Sequence, residues 1–387
     1  MPKRHTEPIG DLFNWTAGGE DFPFIGGHEV LVVKPVSDGV KTYAHHPIGI
    51  DFYGKKYISH TRADEDEEQP GMHTILQVSD NGGNSFSEVG EILPEMSPKP
   101  LRSAFGAGRI NYPTKFVPIG SQLYMISEVN DRDYAGGGNV RTPVGVLATP
   151  INSDDSIGTP KWVNAYNPNT GEGIASRGAP YSSSYPWYDF DADLRKKVKE
   201  YINRPNYFPK ILFSWADVFN PNGEWAGEAL GEPQSIQPIG YKNYWIYWKD
   251  NGNEFKPAQR GKDGDFFLSS VPEEYASTSI RFINYREDII FLIGNSQRSD
   301  RDEIFFAIGR RSVSDGRFNV VNGDVYSITN NQRILPLFDG LNKDDGGEQL
   351  PHAWMSANGD LNLTWDVTKE EVYYKKIKHQ RLIELIG

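Results

Sequence analysis

Two adjacent histidines are the first place in this sequence where chemistry is legible. His45 and His46 stand in YAHHPIGIDFYGKKYISH (Tyr43–His60), directly before Pro47 and a strand-like run. The chain has 8 histidines in 387 residues, and His45, His46 and His60 fall within this one window. An imidazole titrates near neutral pH, so it can take or give a proton in a catalytic step. His352, in LPHAW, precedes a later strand-like run in the same manner. The plain alternative for each is a histidine packed under a loop and bonded to backbone carbonyls, and this is the default for His60 and His73. The acidic run ADEDEEQPG (Ala63–Gly71) offers carboxylates that calcium favours. It lacks the spacing and glycine of an EF-hand, so a solvated charged loop is the expectation and the metal ligands stay unknown.

Short strands must position these residues. Aromatics make up 13% of the chain, with 39 glycines and 26 prolines, a composition of strand-favouring rings and turn formers. Gly54–His60, Ser121–Val129, Lys210–Val218, Lys242–Asp250, Glu287–Asn295 and Gly359–Val367 each read as a strand bounded by turn residues. After most of them comes a second strand: Thr74–Asp80, Val144–Ile151, Asp263–Val271, Glu303–Gly309 and Glu371–Ile377. The markers recur at roughly 45 to 70 residues, the length of a four-stranded propeller blade. HEVLVVKP (His28–Pro35) precedes the first blade and is expected to complete the last one. The predicted fold is all-β, a single propeller domain over residues 1–387.

Three turns share a grammar of Asp or Asn, then Gly, then an aromatic: Ser79–Phe86, Lys249–Phe255 and Ser314–Phe318. The polar side chain bonds backbone amides, glycine supplies positive φ, and the ring covers the blade edge. The first two resemble the Asp-box of sialidase-type propellers, in a structural role. One stretch has helical spacing, ADLRKKVKEYI (Ala192–Ile202), with Asp191 as its N-cap. It lies in an insertion from about 164 to 209, read as a loop plus helix decorating one propeller face.

Charge and composition exclude other classes. The formal charge is -12, from 40 basic and 52 acidic residues, against the basic footprint that nucleic-acid binding needs. The absence of cysteine leaves no disulfide framework and no thiolate chemistry. No apolar run approaches the ~20 residues of a membrane span. The opening MPKRHTEPIGDLFNW has no apolar signal core. The expectation is a cytoplasmic protein, or a secreted or periplasmic one whose signal has been removed.

The order of motifs resembles a known family. HHPIGIDFYGKKYISHTRADEDEEQPGMHTILQVSDNGGNSF is similar to the opening of sialidase-like propellers of the exo-rhamnosidase and L-rhamnose-α-1,4-D-glucuronate lyase group. SQLYMISEVND with VGVLATPINSDDSIGTPKWVN resembles that group's next blade, RDEIFFAIGRRSVSDGRFNVV a late blade, and QLPHAWMSANGDLNLTWDVTKEEVYYKKI the closing segment. The resemblance runs from about His45 to Ile377 and implies seven blades, six being the alternative count. It implies cleavage of a glycosidic bond next to a uronic acid in a plant or algal polysaccharide, by hydrolysis or β-elimination. A structural calcium near the axis occurs in some members. True sialidases carry an early R-I-P motif, and GRINYP (Gly108–Pro113) is a poor match to it, which disfavours sialic acid.

The resemblance also assigns roles. A histidine of the HHP motif, His46 or His45, is the acid or base, and His352 is expected to face His46 across the axis. A uronate carboxylate suits an arginine fork, so Arg109 with Asn111 in GAGRINYPTKF, and Arg281 in STSIRFINY, become substrate-binding candidates. Tyr112 would donate a proton to the leaving oxygen. Glu232 in GEPQSIQP would contact sugar hydroxyls or act as an acid, and Trp187 and Tyr188 would stack on a sugar ring. The alternative is a non-catalytic propeller that binds a glycan or protein, favoured by departures from the family pattern: Leu-Pro-His in place of Tyr-Pro-His, and no lysine in Tyr275–Ser279.

Overall fold

A computed structural model describes residues 13–17, 22–34, 43–63, 72–94, 107–133, 140–165, 188–202, 237–239, 242–247, 265–268, 281–286, 288–295, 304–329 and 347–387. Two early strands, β1 (Phe13–Trp15) and β2 (His28–Val33), join sheets formed much later in the chain. The first sheet is an antiparallel meander of β3 (Tyr43–Phe52), β4 (Lys55–Ala63), β5 (His73–Ser79) and β6 (Ser87–Leu93). The second repeats the pattern with β7 (Ala107–Ile119), β8 (Gln122–Asp133), β9 (Val140–Ile151) and β10 (Lys161–Ala165). A third holds β11 (Gln237–Ile239), β12 (Lys242–Tyr247) and β13 (Asp265–Leu268).

The fourth sheet contains β14 (Arg281–Arg286), β15 (Ile289–Asn295), β16 (Ile304–Arg311) and β17 (Phe318–Val320), with β18 (Val325–Ser327) on β16 and β1 parallel to β17. The fifth is β19 (Glu348–Met355), β20 (Leu361–Val367), β21 (Glu371–Ile377) and then β2. The strand expected to complete the last blade therefore does so, pairing antiparallel with β21. The expected strand Lys210–Val218 and the turn Lys249–Phe255 lie outside the described residues.

Successive sheets pack flat against each other. Alternate side chains of one strand face two different neighbours, because strand side chains alternate. On β8, Leu123 and Met125 join Ile48, Tyr57 and Leu76 of the first sheet, while Ile126 points the other way. Ala44 and Ile58 of the first sheet meet Val33, Trp354, Val372 and Tyr374 of the fifth. Phe291 and Phe306 of the fourth meet Trp365 and Tyr373 of the fifth. β20, LNLTWDV, is buried throughout: Leu361, Leu363, Trp365 and Val367 share the core with the fourth sheet, while Asn362, Thr364 and Asp366 alternate with them on the other face.

The helix α1 (Ala192–Ile202) has the expected span, and Asp191 Oδ1 accepts the Leu194 N–H at 2.8 Å. Leu194 and Val198 lie on the flat of the second sheet, over Val117, Ile126, Val146 and Ala148. The helix buries its apolar stripe on a sheet face. A second helix, α2 (His379–Ile386), has no counterpart in the sequence reading. At 8 residues it is too short to be stable alone. Burial of Leu382 and Ile386 holds it, with Asp360 accepting the His379 N–H at 2.9 Å and Arg310 donating to the last carbonyls.

The turns after the third strands are held by polar side chains. Asn81 Oδ1 accepts the N–H groups of Asn84 and Ser85, at 3.0 and 3.1 Å, and Phe86 packs on Tyr374 of the fifth sheet. Asp315 Oδ1 accepts the Arg317 N–H at 3.1 Å, and Phe318 is buried. Among the described residues no helix is long and apolar enough to cross a membrane.

Where β3 meets β19, side-chain volume is limiting. A methyl at Gly49 would sit 2.3 Å from ring carbons of Trp354. We expect Gly49→Ala to destabilise the fold by about 1–3 kcal/mol, the range for overpacking a filled core. Urea unfolding measures this, and the loss should shrink in a Trp354→Ala background, since the two sites then no longer couple.

Candidate active site

The strands β3, β7 and β19 open their sheets, and β3 lies against both of the others. Each carries an irregularity at a proline. In β3 the register shifts between His45 and Ile48, so that His46 and Pro47 oppose one residue. In β7 it shifts between Pro113 and Lys115, and in β19 between Gln349 and His352, across Pro351. Proline cannot donate to the ladder and is tolerated at an edge strand or bulge. A bulge bends its strand and re-aims the flanking side chains. His45, His46 and Tyr112 thus lie inside their strands and not before them, next to these bulges.

His46 has φ 54, a left-handed conformation. Non-glycine residues avoid it at a cost of roughly 1–2 kcal/mol, though His tolerates it better than most. The Thr61 hydroxyl donates to the His45 carbonyl at 2.8 Å, and Thr61 Oγ1 lies 3.4 Å from His46 Nδ1. With its proton used, Thr61 can only accept across that contact, so a hydrogen bond there would come from a proton on His46 Nδ1. The edge-on ring of Tyr112 lies 4.9 Å from the His46 ring, and the His45 ring 4.1 Å from it.

His45 is buried, and its Nδ1 lies 2.9 Å from Asp366 Oδ2 on β20. A carboxylate only accepts, so a hydrogen bond across this contact would place a proton on His45 Nδ1. Sequence reading did not select Asp366. In LNLTWDV it is one of three polar residues alternating with apolar ones, the pattern of a half-exposed strand, and only its burial calls for a partner. Tyr112 opposes Glu128 across β7 and β8, and both are buried.

His352 sits beside His46's strand and not across the axis from it, because the fifth sheet closes directly on the first. The Gly49 N–H donates to His352 Nδ1 at 3.1 Å, which leaves the His352 proton on Nε2. A neutral His352 therefore carries an Nε2–H donor.

The remaining expectations fall elsewhere. Asn111 is fully buried: Thr74 Oγ1 donates to its Oδ1 at 2.5 Å, and its Nδ2 donates to the carbonyls of Met72 and Pro94. These bonds occupy its amide and tie β7 to the first sheet, so its placement is that of a structural residue. Arg109 stands in β7 opposite Asp131, and Arg281 opens β14 opposite Ile293; their side chains lie outside the described part of the structure. Glu232, Trp187 and the acidic run 64–71 also lie outside the described residues. Tyr188 packs in the cluster that holds Trp162, and Trp162 N–H donates to the Asp189 carbonyl, so Tyr188 belongs to the outer strand β10 and not to the surroundings of His46. Burial raises its hydroxyl pKa. Among the described residues, no three His, Asp or Glu side chains are grouped as a metal ion would require.

No family model matches this chain, and no curated protein is significantly similar to it. Solved structures are similar in fold. A sialidase aligns with 95% of this chain at 14% identity and a TM-score of 0.61. The chain spans 35% of that protein's length. A family 117 glycoside hydrolase from the marine bacterium Zobellia galactanivorans aligns at 12% identity over 91% of each chain, with a TM-score of 0.40. A variant of the NanB sialidase from Streptococcus pneumoniae aligns at 10% identity over 93% of this chain and 71% of its own, with a TM-score of 0.45. The sheets described above and the first of these likenesses define the class: a sialidase-like β-propeller.

One buried imidazole in the first sheet is set by its surroundings. Burial, then the charge of Arg62, brings the His60 pKa from 6.5 down to about 3, and Nδ1 meets the Thr61 carbonyl at 2.9 Å. Folded His60 stays neutral where unfolded His60 takes up a proton. Its contribution to stability is complete above about pH 6.5 and falls as pH drops toward 3, by about 1.4 kcal/mol per unit. Urea unfolding between pH 7 and 4 checks this: His60→Asn, which keeps a donor near Nδ1, should flatten the slope against the wild-type chain.

Proposed function

We propose that this chain is a carbohydrate-active enzyme that cleaves a glycosidic bond next to a uronic acid, of the rhamnose-glucuronate type, with histidine as the acid or base. The observation that carries this is the left-handed His46, held in a proline bulge between the paired His45 and the Tyr112 ring. Strain at a non-glycine residue persists where surrounding structure fixes it, and such residues cluster at functional sites. His46 Nε2 is the proton acceptor in this scheme. In a β-elimination it takes the proton α to the uronate carboxylate, and Tyr112 or His352 returns one to the leaving oxygen. In a hydrolysis it activates water. A substrate carboxylate must be held by a cation, and Arg109 and Arg281 remain the proposed partners, with Glu232 and Trp187 toward the sugar hydroxyls and ring.

Incubation with rhamnose-glucuronate-capped arabinogalactan and with ulvan tests the proposal. Ultraviolet absorbance of an unsaturated uronate identifies elimination, and released rhamnose without that absorbance identifies hydrolysis. Asn tolerates left-handed φ, so His46→Asn removes the imidazole while keeping the bulge. We expect it to lower turnover by about 10²–10⁴-fold with glycan binding retained. A glycan bound but never cleaved by the wild-type chain would instead identify a binding propeller.

A further inference from the structure

We propose that the hairpin between β20 and β21 is the positioning element of the histidine site, with Asp366 as the residue that fixes the His45 imidazole. The kinetic part of this rests on the function proposed above; the structural part does not.

Two observations meet at this hairpin. The first is polar. Asp366 is wholly buried on the polar face of β20, and its contact with His45 Nδ1, at 2.9 Å, crosses from the fifth sheet to the first. Beside it, the Lys369 carbonyl accepts the Ala44 N–H at 2.6 Å, so the residue preceding His45 is pinned by the same hairpin. The second is conformational. The turn residues Thr368 and Lys369 have φ 52 and 59. Two consecutive left-handed residues at the centre of a β-turn are the type I′ geometry, where Asn-Gly is the favoured sequence. A β-branched residue there is a genuine outlier. The turn is held by Thr368 N–H to the Gly347 carbonyl, Glu370 N–H to the Val367 carbonyl, and Thr368 Oγ1 to the Val367 carbonyl, at 3.0, 3.0 and 2.8 Å. Its outcome is to aim one carbonyl and one carboxylate at consecutive residues of β3.

Asp366 acts through His45. It keeps the His45 proton on Nδ1, which fixes the tautomer and the plane of a ring packed 4.1 Å from that of His46. His46 is already strained by its bulge, and a neighbour free to rotate would let it leave the reactive orientation. Asp366 is thus a positioning residue and touches no reacting atom.

The ¹⁵N spectrum of the histidine side chains in the full chain, assigned with His45→Gln, tests this directly. We expect wild-type His45 to be protonated on Nδ1, and Asp366→Asn to give a mixture of tautomers, because an amide can donate as well as accept. In kinetics Asp366→Asn should lower kcat by about tenfold with KM within about twofold, since its effect reaches His46 only through the His45 ring. A wild-type His45 protonated on Nε2 overturns the proposal, and so does Asp366→Asn with unchanged tautomer and kcat. If Asp366→Asn does not fold, the wild-type spectrum decides. If no glycan is cleaved while the tautomer responds as expected, the positioning role stands and the proposed function falls.

Discussion

The seam between the first and fifth sheets is the constraint on which the rest depends. Lys56 lies at its centre, with its ammonium 2.9 and 2.8 Å from the two Asp51 oxygens and 2.9 Å from Asn362 Oδ1. Tyr374 donates to the same Asn362 oxygen at 2.6 Å, and Trp354 Nε1 donates to Asp51 at 2.7 Å. Such a network is costly unless each member is satisfied, and strengthens the seam when all are. The chain's early strand β2 and its last strand β21 are paired in the sheet that this network clamps to β3. Closure by an N-terminal strand makes the seam a contact between the two ends of the chain.

The candidate site inherits its geometry from that closure. The opposite end of the same seam carries His45 against Asp366 and Ala44 against the Lys369 carbonyl. The two ends of β3 are therefore anchored to one neighbouring sheet, and the bulge at His46 and Pro47 lies between these anchors. Left-handed His46, Thr368 and Lys369 are local departures from backbone preference that this frame can hold, since the packed sheets on either side leave little room to relax. The proline bulges of β7 and β19 repeat the device in the adjacent sheets.

Fold and chemistry remain separate matters. A likeness at 14% identity to a protein nearly three times as long establishes a shared architecture. The chemistry has to come from particular side chains, and those proposed here are imidazoles, a phenol and a buried carboxylate. Propellers place unrelated sites on one scaffold by changing what the inner strands carry.

Much of the fold was legible in the sequence because propeller strands are local objects. Short apolar runs bounded by turn residues located β4, β8, β15, β20 and β21, and the helical period with its Asp191 cap located α1 to the residue. The HHP motif could be selected because two histidines beside a proline are conspicuous in a chain with 8. Long-range pairing was less accessible. The partner of His45 is 321 residues further along, and no local pattern separates Asp366 from a polar residue facing solvent. Asn111 looked available because its type is, yet the tertiary fold spends its amide on Thr74 and two carbonyls. The helix α2 has too few residues to announce itself and exists because Leu382 and Ile386 find a core. The sequence by itself determined most of the strands and which residue types could do chemistry, since both follow from residue type and near-neighbour spacing. Only the tertiary structure decided which of those residues meet, because the pairing of β2 with β21 and the seam it closes join positions that near-neighbour spacing cannot relate.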